Sequence, residues 1–295
     1  MDKIYSRIKK GEILVGDGAW GTLLIQAGLQ PGECPELWSI TKPEKIREIA
    51  AKYKDAGADI VSTNTFGGNR IKLKMYGLED KAKEINRVSS YLSRSAVGDE
   101  THVLASIGPC GKLVMMGEVS MDELYESFKE QAMALEEGGA DACIIETMSD
   151  LEEAKCALRA VQENTELEVV LSFTFSKSAD GHNYFTMMGV TPSQVISEFG
   201  GMDVKIIGAN CSLGAEDICG VISEYYQSEK NISYLVYPNA GQPHYTEEGI
   251  KYPETPEVFK TYVPKYIEHG ARIIGGCCGT TYEHIRAIRK VVDSL

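Results

Sequence analysis

The sequence lacks the long hydrophobic runs that a membrane protein or a secreted precursor needs. No segment approaches the roughly 18 uninterrupted apolar residues of a membrane span, and the N-terminal residues MDKIYSRIKKGEILVG are charged where a signal peptide has an apolar core. Low-complexity stretches and linkers rich in Pro or Gly are also missing from this chain, which is 43% hydrophobic and 25% charged. We therefore predict one cytoplasmic domain over residues 1–295, with no membrane partner.

Basic charge is scarce relative to acidic charge. Thirty Lys and Arg residues stand against 43 Asp and Glu residues, which leaves a net charge of -13. Such an excess of negative charge repels phosphate backbones and anionic lipid surfaces. The glycine-rich segment GDGAWGT (16–22) is neither GxxxxGK[ST] nor GxGxxG, so it does not indicate a phosphate or dinucleotide loop. Nucleic acid is therefore not an expected partner.

Cysteine, by contrast, is abundant, with eight residues at positions 34, 110, 143, 156, 211, 219, 277 and 278. Cytosolic thiols stay reduced and serve in metal binding or catalysis more often than in disulfides. A bridge between the neighbours Cys277 and Cys278 would be strained, whereas two adjacent thiols can bind one metal together. Cys143 and Cys156 lie in strand and helix patterns, where packing is the usual role of cysteine.

Short apolar runs rich in Val and Ile recur eight times and predict strands over 13–17, 59–64, 102–107, 142–146, 168–174, 204–210, 232–238 and 271–276. Segments between them carry apolar residues at three- and four-residue spacing, which predicts helices over 43–58, 121–140, 150–162 and 255–271. Alternating strands and helices imply parallel βαβ units. Eight such units fit a closed (β/α)8 TIM barrel better than an open sheet.

In such a barrel the active site lies at the carboxyl ends of the strands, where three cysteines are found. Cys211 follows the sixth predicted strand, and Cys277 with Cys278 follows the eighth, so the three sulfur atoms can converge on one rim. Three thiolates with an open fourth position compose a catalytic zinc site, which deprotonates a substrate thiol and keeps it nucleophilic. This favours thiol alkylation over hydrolysis. A closed zinc site or buried thiols is the structural alternative.

Six motifs lie at the predicted strand ends, namely DGAWGT (17–22), STNTFGGNR (62–70), IETMSD (145–150), GANCSLG (208–214), YPNAG (237–241) and GGCCGTT (275–281). Together they resemble the homocysteine S-methyltransferase family over nearly the whole chain. Within that family, the resemblance is greatest to the homocysteine-binding domain of cobalamin-dependent methionine synthases. It implies a (β/α)8 barrel that holds Zn²⁺ on Cys211, Cys277 and Cys278 and methylates the thiol of homocysteine to give methionine.

The resemblance also implies a set of substrate contacts, which are Asp17, the backbone of Gly18 and Ala19, and Glu146 as partner of the homocysteine ammonium. It implies that Asn239 occupies the fourth zinc position when substrate is absent. Asn210, next to Cys211, is expected either to bind substrate or to support the site by hydrogen bonding. Structural roles remain open for three of these residues: Glu146 as a helix cap, and Asp17 and Asn239 as turn residues.

The methyl donor is the least determined part of the prediction. After the last predicted helix the sequence offers no candidate cobalamin or folate domain. The expected donor is therefore a methylcorrinoid on a separate protein or a small sulfonium such as S-methylmethionine or S-adenosylmethionine, with betaine less expected. The alternative function is a non-catalytic zinc-binding subunit that docks to, or senses, a corrinoid methyltransferase system.

Overall fold

Eight parallel strands form the centre of the molecule in a computed structural model that describes residues 2–246 and 249–295. We number them β1 Leu14–Val15, β2 Ile60–Ser62, β3 His102–Ile107, β4 Ala142–Met148, β5 Glu168–Phe173, β6 Ile206–Asn210, β7 Ser233–Tyr237 and β8 Ala271–Ile274. Their order in the sheet is β1-β8-β7-β6-β5-β4-β3-β2. From β2 to β8 each strand therefore lies beside the next one in sequence, and β8 pairs with β1. With helices between the strands, the fold is the (β/α)8 barrel that the sequence predicts.

Helices follow every barrel strand. The described residues contain α-helices at Ile4–Lys9, Trp20–Gln26, Trp38–Thr41, Pro43–Asp55, Arg70–Leu73, Ala82–Val97, Met121–Glu137, Leu151–Asn164, Pro192–Phe199, Ile218–Ser228, Pro256–Phe259, Val263–Glu268 and Tyr282–Val292, and 3-10 helices at Lys74–Tyr76, Glu79–Lys81, Val114–Met116 and Lys260–Tyr262. Two short antiparallel hairpins join Ser176–Lys177 to Tyr184–Phe185 and His244–Thr246 to Gly249–Lys251. In the described part of the chain, no helix has both the length and the apolarity to cross a membrane.

No strand ladder joins β1 to β2, and hydrogen bonds of Asp59 and Asp17 link these two strands instead. The backbone N–H of Asp59 donates to the carbonyl of Val15 at 2.7 Å, and the Asp59 carboxylate accepts from the Val15 N–H at 2.9 Å. Two residues after Val15, the carboxylate of Asp17 accepts from the backbone N–H of Ser62 at 2.7 Å. Asp17 therefore joins the first two strands at the rim where the site lies.

All eight predicted strands are present, with ends that differ from the predicted ones by at most two residues. The helix predicted over 255–271 is wrong as a single element, because it divides into Pro256–Phe259, a 3-10 turn and Val263–Glu268. Pro264 lies in the first turn of the last segment. Since proline has no N–H to donate to the preceding turn, it starts a helix readily but cannot continue one.

The N-terminal helix Ile4–Lys9 closes the bottom of the barrel. Ile4 and Ile8 are buried against an inner apolar layer with one residue from each strand: Leu14, Ile60, Leu104, Ile144, Val170, Ile206, Leu235 and Ile273. The first turn of this helix is held by the carboxylate of Glu168, which accepts from the N–H of Ile4 at 2.7 Å and of Tyr5 at 3.3 Å. The interior of the barrel is thus a packed core with one open end.

Two residues beyond this apolar layer, side chains again point inward, because successive side chains alternate across a strand. These eight positions form what we call the upper ring: Gly16, Ser62, Ser106, Glu146, Ser172, Gly208, Tyr237 and Gly275. Three are glycine and three are serine. The ring therefore leaves space at the open end of the barrel, and its polar groups form the floor of the site.

Candidate active site

Three thiols meet above the upper ring. The Sγ atoms of Cys211, Cys277 and Cys278 all lie within 4.8 Å of one another, and no other such group of His, Cys, Asp or Glu occurs among the described residues. The Sγ atoms of Cys211 and Cys278 are 3.8 Å apart. The other five cysteines of the chain lie outside this cluster and are free: Cys34, Cys110, Cys143, Cys156 and Cys219. The structure thus brings together the three cysteines that the sequence singled out.

Cys211 is presented by an unusual backbone. Its φ is +63° and that of Ser212 is +56°, both in the left-handed region, which costs a residue with a side chain about 1–2 kcal/mol. Two hydrogen bonds hold this conformation, from the N–H of Cys211 to the carbonyl of Tyr237 at 3.0 Å and from the N–H of Leu213 to the carbonyl of Cys211 at 2.6 Å. The strained turn directs the Cys211 thiol, which follows β6, toward the two thiols that follow β8.

The loop after β8 is fixed to the loop after β7. The N–H of Cys277 donates to the carbonyl of Pro238 at 2.7 Å, and the carbonyl of Cys278 accepts from the N–H of Ala240 at 2.9 Å. The hydroxyl of Thr280 donates to the carbonyl of Cys277 at 2.7 Å. Both cysteines therefore lie in a turn whose backbone is held on two sides.

Hydrogen bonds couple the three thiols of this cluster. Those with Cys211 and Cys277 lower the pKa of the Cys278 thiol, against the effect of burial. Hydrogen bonds with the same partners raise the pKa of Cys277 well above its usual value. A bound divalent cation would favour the thiolate form of all three cysteines.

Asn239 lies between the two cysteine loops and has an unused oxygen. Its N–H donates to the carbonyl of Leu213 at 2.9 Å, and its side chain is buried while Oδ1 has no hydrogen-bond partner. A buried unpaired oxygen is rare and calls for a ligand. The side chain makes no hydrogen bond within its own loop, so the alternative role as a turn residue gains no support. The three thiols are a donor set that fits Zn²⁺, and the loop of Asn239 is hydrogen-bonded to both cysteine loops.

Glu146, at the end of β4, is the acidic side chain of the upper ring. The hydroxyl of Ser106 donates to its Oε1, and the amide of Asn210 donates to its Oε2 at 3.3 Å. Burial raises the pKa of Glu146 to about 7, and the negative charges of Asp17 and Cys278 add to this effect. A nearby cation, such as the ammonium of a substrate, would stabilise the charged form of this carboxylate.

The structural alternative for Glu146 was a cap on the helix that follows β4. That helix, Leu151–Asn164, is capped by Asp150, whose Oδ1 accepts from the N–H groups of Glu152 at 2.8 Å and Glu153 at 3.1 Å. Glu146 takes no part in this cap. Its carboxylate faces the mouth of the barrel instead.

Asn210 uses all of its hydrogen-bonding capacity inside the protein. Its Oδ1 accepts from the N–H of Thr147 at 2.9 Å and from the hydroxyl of Ser172 at 2.7 Å, while Nδ2 donates to the Thr147 hydroxyl at 2.7 Å and to Glu146. Thr147 has a φ of +59°. Of the two roles left open by the sequence, the supporting role agrees with this geometry, because Asn210 has no donor or acceptor left for substrate.

Asp17 lies in a tight site at the rim. Its carboxylate is 1% exposed and accepts from the N–H and hydroxyl of Ser62 at 2.7 and 2.9 Å and from the indole of Trp20 at 2.8 Å. Burial raises the pKa of Asp17 to about 6, although these three donors oppose the shift. The bonds reach another strand as well as its own turn, so Asp17 has a structural role beyond the predicted turn.

The backbone of Gly18 and Ala19, directly after Asp17, packs against the loop that follows β8. The N–H of Ala19 donates to the hydroxyl of Thr280 at 3.1 Å, and its carbonyl accepts from the hydroxyl of Tyr53 at 3.0 Å. A Cβ on Gly18 would lie 2.7 Å from Thr280 Oγ1 and 2.9 Å from the Tyr53 hydroxyl. Glycine at this position thus permits the first turn to pack against the loop that carries two of the cysteines.

The sequence motifs include Ser62 and Tyr237 but assign no substrate contact to the polar ring residues outside the named contacts, which are Ser62, Ser106, Ser172 and Tyr237. A signal for them exists in the sequence, because each lies two positions after an inward apolar residue. Strand alternation extended past the apolar run would have found them.

The sequence matches the family described as homocysteine S-methyltransferase over residues 14–292. Methionine synthase from Mycobacterium leprae (strain TN) is 30% identical over 298 residues, which cover 95% of this chain but 24% of that protein. The chain thus spans about a quarter of the length of the curated relatives it matches.

Solved structures show the same architecture. The homocysteine methyltransferase MmuM from Escherichia coli, in a form described as oxidized, is 25% identical, has a TM-score of 0.81, and covers 99% of this chain and 100% of its own. Its metallated form is 24% identical with a TM-score of 0.79, over 98% of this chain and 100% of its own. On the family match and the site geometry together, the chain belongs to the homocysteine S-methyltransferase family.

Proposed function

We propose that this protein transfers a methyl group to the thiol of homocysteine and forms methionine, with Zn²⁺ held by Cys211, Cys277 and Cys278. The observation that carries the proposal is the convergence of three thiols within 4.8 Å at the open end of the barrel. Beside them, Glu146 offers a half-buried carboxylate for a substrate ammonium. Family membership supports homocysteine as the acceptor.

The three cysteines would hold the metal, which when bound keeps a substrate thiol deprotonated at neutral pH. Glu146 binds the ammonium of homocysteine and so fixes the amino-acid end. Ser106 and Asn210 hold that carboxylate in place. With both ends fixed, the sulfur attacks the donor methyl in line: the S–C bond forms as the bond from methyl to its leaving group breaks, and the leaving group keeps the electron pair.

The donor is proposed to be a methylcorrinoid supplied by a separate protein or a small sulfonium such as S-methylmethionine. The relatives are named for methionine synthesis and for homocysteine methylation, and both donors are compatible with these names. Whichever donor is used, it must approach from the open end of the barrel, because the helix Ile4–Lys9 closes the other end.

The test is methionine formation by zinc-loaded protein given homocysteine and, in parallel, methylcobalamin, S-methylmethionine, S-adenosylmethionine or glycine betaine. Turnover with one donor and its loss in Cys277→Ser are the expected results. Cys219→Ser is the matched control, since Cys219 is a free cysteine of similar exposure outside the cluster, and it should retain both turnover and zinc.

A second measurement separates an enzyme from a non-catalytic docking or sensing subunit. Cobalt(II) in place of zinc gives thiolate charge-transfer bands, which homocysteine should change when it joins the coordination. An unchanged spectrum would reject homocysteine as a ligand of the metal. A changed spectrum without turnover for any small donor would make a separate methylcorrinoid protein the donor to test next.

A further inference from the structure

Hydroxyl groups of the upper ring are almost all engaged. The three serines each donate to an acceptor at the rim, in the pairs Ser62–Asp17 at 2.9 Å, Ser106–Glu146 and Ser172–Asn210 at 2.7 Å. Tyr237 is the remaining hydroxyl of the ring, and among the described residues it has no hydrogen-bond partner although it is buried. The ring thus contains one free side-chain donor.

The phenol of Tyr237 extends across the barrel from β7 to β1. A Cβ added to Gly275, directly after β8, would lie 2.7 Å from Tyr237 Cε1, and one added to Gly16, directly after β1, would lie 1.9 Å from its hydroxyl oxygen. Glycine at both positions is what permits the ring to lie there. The hydroxyl therefore lies next to the turn that begins with Asp17.

Acidic groups surround this hydroxyl without bonding to it. Asp17, Glu146 and Cys277 lie near enough to interact with it electrostatically, and a phenol is protonated at neutral pH and can donate one hydrogen bond. A buried hydroxyl with no partner is unfavourable in the folded state and requires an explanation. A ligand that accepts its proton supplies one.

We propose that Tyr237 is a substrate-binding residue whose hydroxyl donates a hydrogen bond to the α-carboxylate of homocysteine. This inference rests on the proposed function and adds a residue to it. Two carboxylates at the rim, Asp17 and Glu146, favour an ammonium but repel a second carboxylate. The substrate carboxylate therefore needs a donor. The serine hydroxyls and the N–H of Ala19 are already engaged, and the hydroxyl of Tyr237 is free.

The experiment compares three thiols on cobalt-loaded wild type and Tyr237→Phe, with the charge-transfer bands as the readout. Homocysteine carries both charged groups, 4-mercaptobutanoate lacks the ammonium, and 3-aminopropane-1-thiol lacks the carboxylate. In Tyr237→Phe, homocysteine and 4-mercaptobutanoate should bind about tenfold more weakly or worse, as for loss of a hydrogen bond to a charged group. Binding of 3-aminopropane-1-thiol should not change.

Equal weakening of all three thiols would mean that Tyr237 acts through packing, and no change for any of them would remove the hydroxyl from the site; either result overturns the inference. If wild type itself binds none of the three, the proposed function fails as well. Wild-type binding with an insensitive variant overturns the role of Tyr237 alone. The two failures are thus distinguishable.

Tyr234→Phe is the matched control on the same strand. The Tyr234 hydroxyl is bonded to the carbonyl of Tyr225 at 3.0 Å and also to that of Glu229, so its removal should lower the melting temperature without changing the preference among thiols. Tyr237→Phe loses no hydrogen bond in the unliganded protein and should melt at the same temperature as wild type or higher. A loss of stability equal to that of Tyr234→Phe would show a structural partner and contradict the inference.

Discussion

The side chain of Asn210 holds Thr147 by two hydrogen bonds, one from its Nδ2 to the Thr147 hydroxyl at 2.7 Å and one to its Oδ1 from the Thr147 N–H at 2.9 Å. Thr147 has a left-handed φ of +59° and directly follows Glu146. Asn210 directly precedes Cys211, and it also accepts from Ser172 on the strand between them. The proposed metal ligand of β6 and the proposed ammonium ligand of β4 are therefore held by one amide across β5.

Replacing this amide should loosen both ligands. Asn210→Ala leaves the Thr147 N–H and two hydroxyls without their partner in a buried site, so we expect the free energy of unfolding to fall by about 2–4 kcal/mol. Homocysteine affinity should fall more than zinc affinity, because the three thiols remain. Denaturant unfolding and ligand titration measure the two effects. Ser172→Ala, which removes one of these bonds, should cost about 1 kcal/mol, and an equal loss from both variants would argue against this role of Asn210.

Asp17 offers a test of the seam between β1 and β2. Asp17→Ala leaves buried donors of Ser62 and Trp20 unpaired, so we expect a loss of about 2–4 kcal/mol in the free energy of unfolding. Asp203, whose side chain is 81% exposed in a surface ion pair, is the control, and Asp203→Ala should change stability by less than about 0.5 kcal/mol. Similar values for the two variants would contradict a structural role for Asp17.

Homocysteine binding should depend on the protonation of Glu146. Because burial raises its pKa to about 7, the carboxylate is largely neutral at pH 6 and loses its attraction for an ammonium there. Affinity should therefore rise between pH 6 and pH 8, by up to about tenfold per pH unit on the acid side. Ionisation of the thiol acts on every thiol ligand alike, so 4-mercaptobutanoate corrects for it. Glu146→Gln should bind more weakly at pH 8 and lack the difference between the two ligands.

The helix Ile4–Lys9 should contribute stability without touching the site. Ile4→Ala removes a fully buried side chain from the bottom of the barrel, so we expect a loss of about 2–4 kcal/mol. Lys9→Ala on the exposed face of the same helix is the control and should have little effect. Thiol binding by folded Ile4→Ala protein should match wild type, and a selective loss of binding would connect the two ends of the barrel.

Much of this architecture could be predicted because its causes are local. Buried parallel strands require apolar runs, so all eight were visible in the sequence. The segment 255–271 shows where the local signal misleads: apolar spacing continued through it, but Pro264 starts a new helix. Periodicity gives the face of a helix and says less about where its hydrogen bonds stop.

The site, like the fold, has features that the sequence predicts and features that it does not. Cys211, Cys277 and Cys278 were predicted as a cluster, because strand order alone places their loops on one rim. The left-handed turn at Cys211 and Ser212 was not predictable, since it depends on a carbonyl of β7 that is distant in sequence. The role proposed for Tyr237 was not predictable for a related reason: its hydroxyl is free because the other polar groups of the ring bond among themselves.

The hydrogen bonds that Asn210 makes across β4, β5 and β6 also affect which thiol can react. Sulfur and ammonium would be held by groups at the ends of different strands of one sheet, and the hydrogen bonds of Asn210 link those strands. A fixed separation accepts a thiol with the right number of methylene groups and rejects one that is shorter. We therefore expect cysteine, which has one methylene fewer than homocysteine, to bind more weakly, so that the protein would discriminate by length without any residue that recognises cysteine as such.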